Sequence, residues 1–329
     1  MISIGFVDSV ACAQALPRCA EALHSMSSFI NMIKTMAGET SLTFDQLPGV
    51  MPYYLRAATT LSGGLDANQT IPRIEARISG LSVRAEHLAR YRKVCGFARS
   101  STLPITYPHV LAFPIHMAVL THKTFPLKLL GLVHVKNQIS QQRPVGVDEP
   151  LDLLIYVDGH RETAKGIEFE LTTEAYAGDQ TAVWQANATF LSRQKTNVPK
   201  ESGKKHDGPP KLDFTPETQG EWTVPADIGR HYAAAAGDYN PIHLSPYSAK
   251  LFGFKRAIAH GMWTKARAAA ALHDHIGDGP ATIDVAFKKP VFLPSRATFC
   301  HGQTSQNRAF ALTDKSGDIH HLTGTLSHS

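Results

Sequence analysis

In the second half of the chain, the spacing of hydrophobic residues is typical of helices at first and of strands after that. First come stretches rich in alanine and leucine, bounded by glycines and opened by prolines, which favour helices. Short runs rich in β-branched and aromatic residues follow and favour strands. We predict helices at Ala226–Ala236, from Ser245-Pro246 to about Gly253, and from Gly261 to about Gly277. The predicted strands are Thr282–Phe287, Ala297–Gln303, Ala309–Thr313 and His320–Leu326.

The first half of the chain repeats this order of elements in a weaker form. Its predicted strands are Leu132–Ile139, Leu151–Val157, Ile167–Ala175 and Ala182–Phe190. Three short matches join the halves at offsets that rise only from 141 to 146, which favours duplication over chance similarity. The matched segments are Arg90–Gly96 with His231–Gly237, Ile115–Met117 near Ala259–Met262, and Gln142–Val145 with Lys288–Val291.

Between the halves lies a stretch rich in lysine, proline, glycine and serine. We predict a polar linker at residues 194–221, which separates an N-terminal half with an N-terminal extension (1–193) from a C-terminal half (222–329). One helix cannot bury the exposed edge and face of a sheet alone, but two such units side by side can. The predicted arrangement is therefore a pseudo-dimer within one chain, and a homodimer of such chains is possible.

The composition limits the partners and compartments that we expect. The 329-residue chain is 43% hydrophobic with a net charge of +5, as in a globular protein with a large core. Its longest basic run, Lys200–His206, lies among glycine, proline and acidic residues, so we expect a solvated linker and no nucleic-acid partner. No run reaches the roughly 18–20 apolar residues of a membrane span, and the N-terminus lacks a basic signal-peptide region. We therefore expect a cytoplasmic protein with reduced cysteines.

Candidate chemistry lies in the six residues from Asp238 to His243. Gly237 ends a helix, and Pro241 fixes the backbone, so that His243 is held at a defined angle to Asp238. A water molecule between this carboxylate and imidazole would suit proton transfer in both directions. Burial favours a raised pKa for Asp238, which a charged imidazole would oppose. The alternative is an ordinary Asx turn or helix cap formed by Asp238 and Asn240.

A second element of this candidate site opens the longest predicted helix. Gly261 has no side chain, so its backbone N–H is accessible, and the helix dipole adds positive potential at that end. A developing oxyanion needs such an environment. The neighbouring His260 is a candidate for catalysis, but packing or capping beside Gly261 is the simpler expectation.

These residues carry a resemblance to a known family. Tyr232-x4-Gly237-Asp238-x-Asn240-Pro241-Ile242-His243, followed by Ala259-His260-Gly261-Met262, resembles the motif of MaoC-like (R)-specific enoyl-CoA hydratases, the hydratase 2 family. The resemblance covers about the whole second half. It implies an α+β fold of two tandem hot dogs, in each of which an antiparallel sheet wraps around a central helix. Two departures are Ala236 before the Gly-Asp pair and the run Ala268–Ala271 in the central helix.

The resemblance also implies the roles of the site residues. Asp238 and His243 would be the catalytic pair, the Gly261 N–H the oxyanion donor, and Asn240 a residue that organises the loop. In the first half Phe97 occupies the position of the aspartate, which implies a non-catalytic hot dog that shapes the acyl tunnel. Further candidates for substrate binding or loop organisation are Tyr239, His260, Met262 and Lys289.

The implied reaction is the reversible hydration of trans-2-enoyl-CoA to (R)-3-hydroxyacyl-CoA. Two alternatives stay open: dehydration of a 3-hydroxyacyl group on acyl carrier protein, and an acyl-thioester binding protein without catalysis. The expected partner is thus an acyl-CoA or acyl-ACP thioester, and coenzyme A belongs to the substrate, so no separate cofactor is expected. No metal is expected either, because His273-Asp-His275 and His320-His321 lack further ligands at metal-site spacing.

Overall fold

The computed structural model describes residues 40–60, 63–66, 68–199 and 212–328. From Ser41 onward, the described residues belong to one compact unit. The strands are β1 (Thr40–Phe44), β2 (Ile74–Leu81), β3 (Val133–Gln141), β4 (Leu151–Val157), β5 (Arg161–Thr163), β6 (Gly166–Tyr176), β7 (Trp184–Ser192), β8 (Thr218–Val224), β9 (Ala281–Phe287), β10 (Ser295–Gln303), β11 (Arg308–Asp314) and β12 (His320–His328). The α-helices are α1 (Met51–Thr59), α2 (Ala85–Cys95), α3 (Tyr107–Leu120), α4 (Ile228–Ala236), α5 (Pro246–Leu251), α6 (Gly261–Ala271) and α7 (His273–Ile276).

All of these strands belong to one sheet that runs through both halves of the chain. The order is β1-β2-β4-β6-β7-β3-β9-β12-β11-β10-β8, and the short strand β5 pairs with β6 outside this order. The halves join where β3 pairs antiparallel with β9, and Ile139 lies opposite Ile283, 144 positions later. This offset falls within the range predicted for the duplication. The two strands are thus related about this central pair, as in a dimer interface with two-fold symmetry.

The predicted elements of both halves are confirmed within a few residues. The eight predicted strands correspond to β3, β4, β6, β7, β9, β10, β11 and β12, and the three predicted helices to α4, α5 and α6. Ser245 caps α5, because its hydroxyl accepts a hydrogen bond from the Ser248 N–H at 3.0 Å. The sequence pattern alone missed β1, β2, β5, β8 and the helices α1 and α3.

Each half packs a central helix, α3 or α6, against the sheet. Both helices are largely buried, and α3 is apolar on nearly every side, which is typical of a helix enclosed in a core. The helices that precede them, α2 and α4, both end at a glycine with a positive φ, Gly96 and Gly237. The rings of Tyr91 and Tyr232 lie 6.3 Å apart between these two helices. The predicted match of Arg90–Gly96 with His231–Gly237 is therefore confirmed.

The middle correspondence between the halves is wrong. The Leu103 N–H donates to Val145 O at 2.7 Å, and the Ala259 N–H donates to Val291 O at 2.9 Å, so Leu103 and Ala259 are equivalent. Ile115–Met117 instead lies near the C-terminal end of α3. The sequence offset between equivalent residues of the two halves does not change smoothly along the chain. It is larger at the start of the central helix, because the first half lacks the segment that carries α5. It then decreases, because the first half has a longer central helix and a longer loop after it.

The predicted linker is too long at its C-terminal end. Residues 200–211 lie outside the described residues, but Thr218–Val224 forms β8, which pairs antiparallel with β10. Trp222 is buried there between α6 and β10, while the residues on either side of it are exposed. The predicted N-terminal extension also lies mostly outside the described residues, together with Cys12 and Cys19. Cys95 and Cys300 are free and buried.

A search of the described residues finds no helix that is long and apolar enough to cross a bilayer.

Candidate active site

The loop after α4 holds Asp238 by local hydrogen bonds. Gly237 takes a left-handed φ of 77°, which turns the chain out of the helix. The Asp238 carboxylate (Oδ1) then accepts a hydrogen bond from the Asn240 N–H at 3.1 Å. The Asn240 side chain accepts one in turn from the Ile242 N–H at 3.4 Å, and Pro241–His243 form one 3₁₀ turn. The loop is thus both an Asx turn and a rigid path from the carboxylate to the imidazole.

His243 is 8% exposed, and its ring is fixed by the backbone. Its Nδ1 lies 2.8 Å from the carbonyl oxygen of Ile258, which can only accept, so Nδ1 carries the proton and Nε2 the lone pair. The loop also packs closely on α4, because a Cβ placed on Gly229 would lie 1.9 Å from the His243 carbonyl oxygen. A glycine at position 229 therefore permits the position of His243.

His260 packs beneath the pair and does not cap α6. Its ring stacks on that of His243 with centroids 3.7 Å apart and an angle of 26°. Its Nε2 donates to the Asp238 carbonyl oxygen at 3.0 Å, and no side-chain hydrogen bond caps the helix. Burial and the neighbouring His243 lower the pKa of His260 to about 3, so its ring is neutral. The residue therefore links the loop to the start of α6.

The two proposed catalytic groups are ionised and neutral, respectively. Burial by itself would raise the pKa of Asp238, but His260, His243 and the hydrogen bonds from Asn240 and Tyr54 outweigh it and lower that pKa. Both expected influences on the pKa of Asp238 are therefore present, and the lowering one is the larger. Burial lowers the pKa of His243, against the opposing effects of Asp238 and the Ile258 carbonyl. At neutral pH the site presents a carboxylate beside an uncharged imidazole.

Gly261 is the first residue of α6, where the backbone N–H has no acceptor within the helix. The ring of Phe287 packs directly on it, and a Cβ at this position would lie 3.0 Å from that ring. The absence of a side chain therefore lets an aromatic wall approach the helix end. Met262, the next residue, is buried.

A cavity of ≈640 Å³ opens beside these residues. The first half contributes residues of α1, α3 and β3 to its walls, and the second half contributes the loop, the start of α6 and the end of β9. Among the residues singled out from the sequence, Asp238, Asn240, His243, His260, Gly261, Met262 and Lys289 line it. Tyr239 is half-buried and lies outside the lining, although its backbone hydrogen-bonds to the Tyr54 hydroxyl.

Tyr54 in α1 is a site residue that the sequence analysis missed. Its hydroxyl donates to the Asp238 carboxylate (Oδ1) at 3.1 Å, across 184 positions of the chain. Burial and Asp238 raise the pKa of this phenol, so it stays a neutral donor. No local pattern indicates such a contact, because α1 joins the site only through the packing of the two halves.

Among the described residues, one group of three side chains could in principle bind a metal ion. It consists of Asp238, His243 and His260, whose potential ligand atoms lie within 4.8 Å of one another. Two of the ring nitrogens are already used, His243 Nδ1 for Ile258 and His260 Nε2 for Asp238 O. The two rings are stacked, so their in-plane lone pairs point side by side and do not converge on one ion. The geometry therefore fits a proton-transfer pair better than a metal site.

Comparisons with known proteins identify the family of this chain. A family profile described as "MaoC like domain" matches residues 203–322. The chain is 32% identical over 280 residues to 3-hydroxyacyl-thioester dehydratase X of Mycobacterium tuberculosis, a match that covers 85% of this chain and 98% of the relative. The crystal structure of HtdX from that organism has a TM-score of 0.67 at 31% identity and covers 77% of this chain and 99% of its own.

A MaoC-like dehydratase from Phytophthora capsici has a TM-score of 0.65 at 18% identity, over 80% of this chain and 98% of its own. At that identity the likeness concerns the fold. The relative from M. tuberculosis matches over nearly its whole length, and the family profile covers the segment that holds the loop, Gly261 and β9. The chain belongs to the MaoC-like dehydratase family and is a hydro-lyase with a hot-dog fold.

Proposed function

We propose that this chain catalyses the reversible hydration of trans-2-enoyl-CoA to (R)-3-hydroxyacyl-CoA. The supporting observation is that a carboxylate oxygen of Asp238 and a ring nitrogen of His243 lie within 4.8 Å of each other on the wall of one cavity. One water molecule spans such a gap with a hydrogen bond to each group. The name of the M. tuberculosis relative, a 3-hydroxyacyl-thioester dehydratase, specifies a substrate on the other side of the same equilibrium.

In this proposal His243 acts as the base and Asp238 as its partner. The His243 Nε2 takes a proton from the bound water as the water oxygen forms its bond to C3 of the enoyl group. The ionised Asp238 orients the water and stabilises the imidazolium that forms. The proton then passes to C2, so both side chains return to their starting states. Dehydration is the same sequence in reverse.

The negative charge develops on the thioester oxygen while the C3–O bond forms. The Gly261 N–H at the start of α6 supplies a hydrogen bond and the positive end of the helix dipole to that oxygen. The rest of the acyl chain extends into the part of the cavity that α3 lines. Coenzyme A enters as part of the substrate, and the exposed Lys289 at the cavity rim is a candidate contact for its phosphates.

The decisive experiment measures crotonyl-CoA hydration by the wild-type protein and by the variants Asp238→Asn and His243→Ala. We expect turnover by the wild type, (R) stereochemistry of the 3-hydroxy product, and a loss of kcat/KM on the order of 10²-fold or more in each variant. Asp227→Asn and His231→Gln are matched controls, because these two exposed residues lie 3.8 Å apart outside the cavity. Folded variants as active as the wild type would disprove the assignment.

Kinetics on paired thioesters separate the remaining alternatives. Comparing kcat/KM for the same acyl group on coenzyme A and on acyl carrier protein shows which carrier the protein uses. Tight acyl-CoA binding without turnover would instead indicate a binding protein, a result that the ionised Asp238 beside a neutral His243 argues against.

A further inference from the structure

Three histidines lie together on the part of the cavity wall that the first half of the chain contributes. His109 and His116 belong to α3, and His134 belongs to β3. All three line the same cavity as Asp238 and His243. The ring of His109 lies 4.9 Å from that of His116 and 6.3 Å from that of His134. We call these three residues the histidine cluster.

The two members of the cluster on α3 lie on the side of the helix that lines the cavity. His109, Phe113 and His116 follow an i, i+4, i+7 spacing, which places them on one face of the helix. The other buried residues of α3 are almost all apolar, and the helix is enclosed by its own half of the sheet. An imidazole at two positions of such a helix costs free energy unless its polar atoms are paired.

Two members of the cluster keep an unpaired nitrogen. His116 Nε2 is hydrogen-bonded to the Thr173 hydroxyl at 2.8 Å. By contrast, His109 Nδ1 and His134 Nε2 are buried and have no hydrogen-bond partner among the described residues. His109 is only 7% exposed, so bulk water does not satisfy it. Because both residues line the cavity, a ligand bound there can supply the missing partner.

The electrostatics define which ligand suits these rings. Burial lowers the pKa of His109 to about 3, with a smaller contribution from Lys265, and burial also lowers the pKa values of His116 and His134. Neutral imidazoles each offer one N–H donor and one lone pair. They suit an uncharged oxygen, while a carboxylate would lose its hydration without gaining an opposite charge.

We infer that the histidine cluster is a subsite for an uncharged oxygen substituent, a hydroxyl or oxo group, on the acyl chain of the substrate. The inference rests on the proposed function in that the acyl chain occupies this cavity. The thioester end lies at Asp238, His243 and Gly261, and the cluster meets a carbon further along the chain. The preferred substrates are then acyl thioesters with a second oxygen function, and purely alkyl chains leave the imidazoles unpaired.

The test measures binding of saturated acyl-CoA thioesters, which cannot be hydrated, by calorimetry with the full chain. The series keeps chain length constant and places one hydroxyl or one oxo group at successive carbons beyond C3. At one position we expect an affinity at least about tenfold above that of the unsubstituted chain, as one satisfied buried hydrogen bond provides. Comparing the hydroxyl and oxo arms shows whether the cluster donates, accepts or does both.

The variant His109→Phe is expected to abolish this preference and to leave the unsubstituted chain bound at least as well as in the wild type. His134→Phe provides a second variant from the strand side, in case the first does not fold. His122→Phe is the matched control, because this histidine follows α3 directly but lies outside the cavity lining. Its preference should equal that of the wild type.

Equal affinities across the series in the wild type would overturn the inference, as would a preference that survives in both cluster variants. These outcomes are independent of turnover. If the analogues are distinguished but crotonyl-CoA is not hydrated, the proposed function is wrong and the subsite stands. If crotonyl-CoA is hydrated and the analogues are not distinguished, only the subsite is wrong.

Discussion

The two halves of this chain use the same scaffold for different purposes. Helices α2 and α4 end alike at Gly96 and Gly237, but the next residue is Phe97 in the first half and Asp238 in the second. Phe97 stacks on Tyr91 with ring centroids 6.2 Å apart and continues the core. Asp238 instead faces the cavity and is held by hydrogen bonds. The residue that follows the terminal glycine of the helix thus decides whether this position contributes to the core or to the cavity wall.

The start of the central helix shows the same divergence. Counted from the equivalent residues Leu103 and Ala259, Pro104 and Ile105 stand where the second half has His260 and Gly261. The first half therefore lacks the accessible N–H at the helix start as well as the carboxylate. What it keeps is a helix whose side chains form the wall of a cavity that the second half cannot close by itself. Under the proposed function, the second half carries the catalytic groups and the first half forms a wall of the substrate cavity.

The largest predicted contrast concerns one position of the two central helices. By the same count, Lys265 in α6 is equivalent to His109 in α3. The Lys265 amino group (Nζ) is fully buried and donates to Asn137 O at 2.8 Å, Asn137 Oδ1 at 2.6 Å and Ile283 O at 3.0 Å, which ties α6 to the β3–β9 junction. Lys265→Met should lower the free energy of unfolding by about 3 kcal/mol, because the buried oxygens of Asn137 and Ile283 lose their hydrogen-bond donor.

The matched substitution His109→Phe should not lower the free energy of unfolding, because it removes an unpaired buried nitrogen. Urea unfolding with a common m-value measures both variants, and Lys250→Met tests an exposed lysine as the control. A smaller loss for Lys265→Met than for His109→Phe would contradict the distinction between a structural and a ligand-binding position.

The second prediction concerns Gly261 and its replacement in the other half by Ile105. Gly261→Ala brings a Cβ to 3.0 Å from the Phe287 ring and should lower kcat/KM roughly tenfold to a hundredfold by displacing the oxyanion donor or the ring. Adding Phe287→Leu should recover part of the loss, since it removes the clash. Gly279→Ala, where a Cβ meets open space, is the control. Full activity of the Gly261→Ala variant would contradict the assignment of the Gly261 N–H as the oxyanion donor.

A smaller effect is expected from the contact that the first half makes with the catalytic carboxylate. Tyr54→Phe removes the hydrogen bond to Asp238 and should lower kcat/KM by about threefold to tenfold. The hydrogen bond lowers the pKa of Asp238, so its loss raises that pKa and moves the acid limb of the pH profile to higher pH. Tyr53→Phe changes the adjacent tyrosine, which lies outside the cavity lining, and should leave the profile unchanged. An unshifted limb in Tyr54→Phe would leave Tyr54 a packing residue.

The wild-type pH profile gives the mildest test. The active forms are the ionised Asp238 and the neutral His243, and both pKa values are lowered by their surroundings. The kcat/KM should therefore stay constant around neutral pH and fall only below about 6.5, the ordinary value for histidine. A midpoint above that value would show that His243 is not the base in its neutral form.

Much of this molecule could be predicted from the chain alone, because local signals were strong. Glycine stops, a serine cap and alternating runs specified three helices and eight strands in the correct order. The pair Asp238 and His243 was identifiable because a glycine, a proline and an Asx turn define the path between them within six residues. Residues close in sequence share a backbone path that local chemistry determines.

Other features depended on contacts between distant segments. Strand β8 exists because β10 pairs with it, and Tyr54 meets Asp238 only through the packing of α1 on the other half. The sign of the Asp238 pKa shift likewise required the positions of His260 and Tyr54. Thus the sequence by itself determined most of the elements, the duplication and the proximity of Asp238 and His243. The tertiary structure decided the cavity, the histidine cluster and the charges, because these depend on distances between residues far apart in the chain.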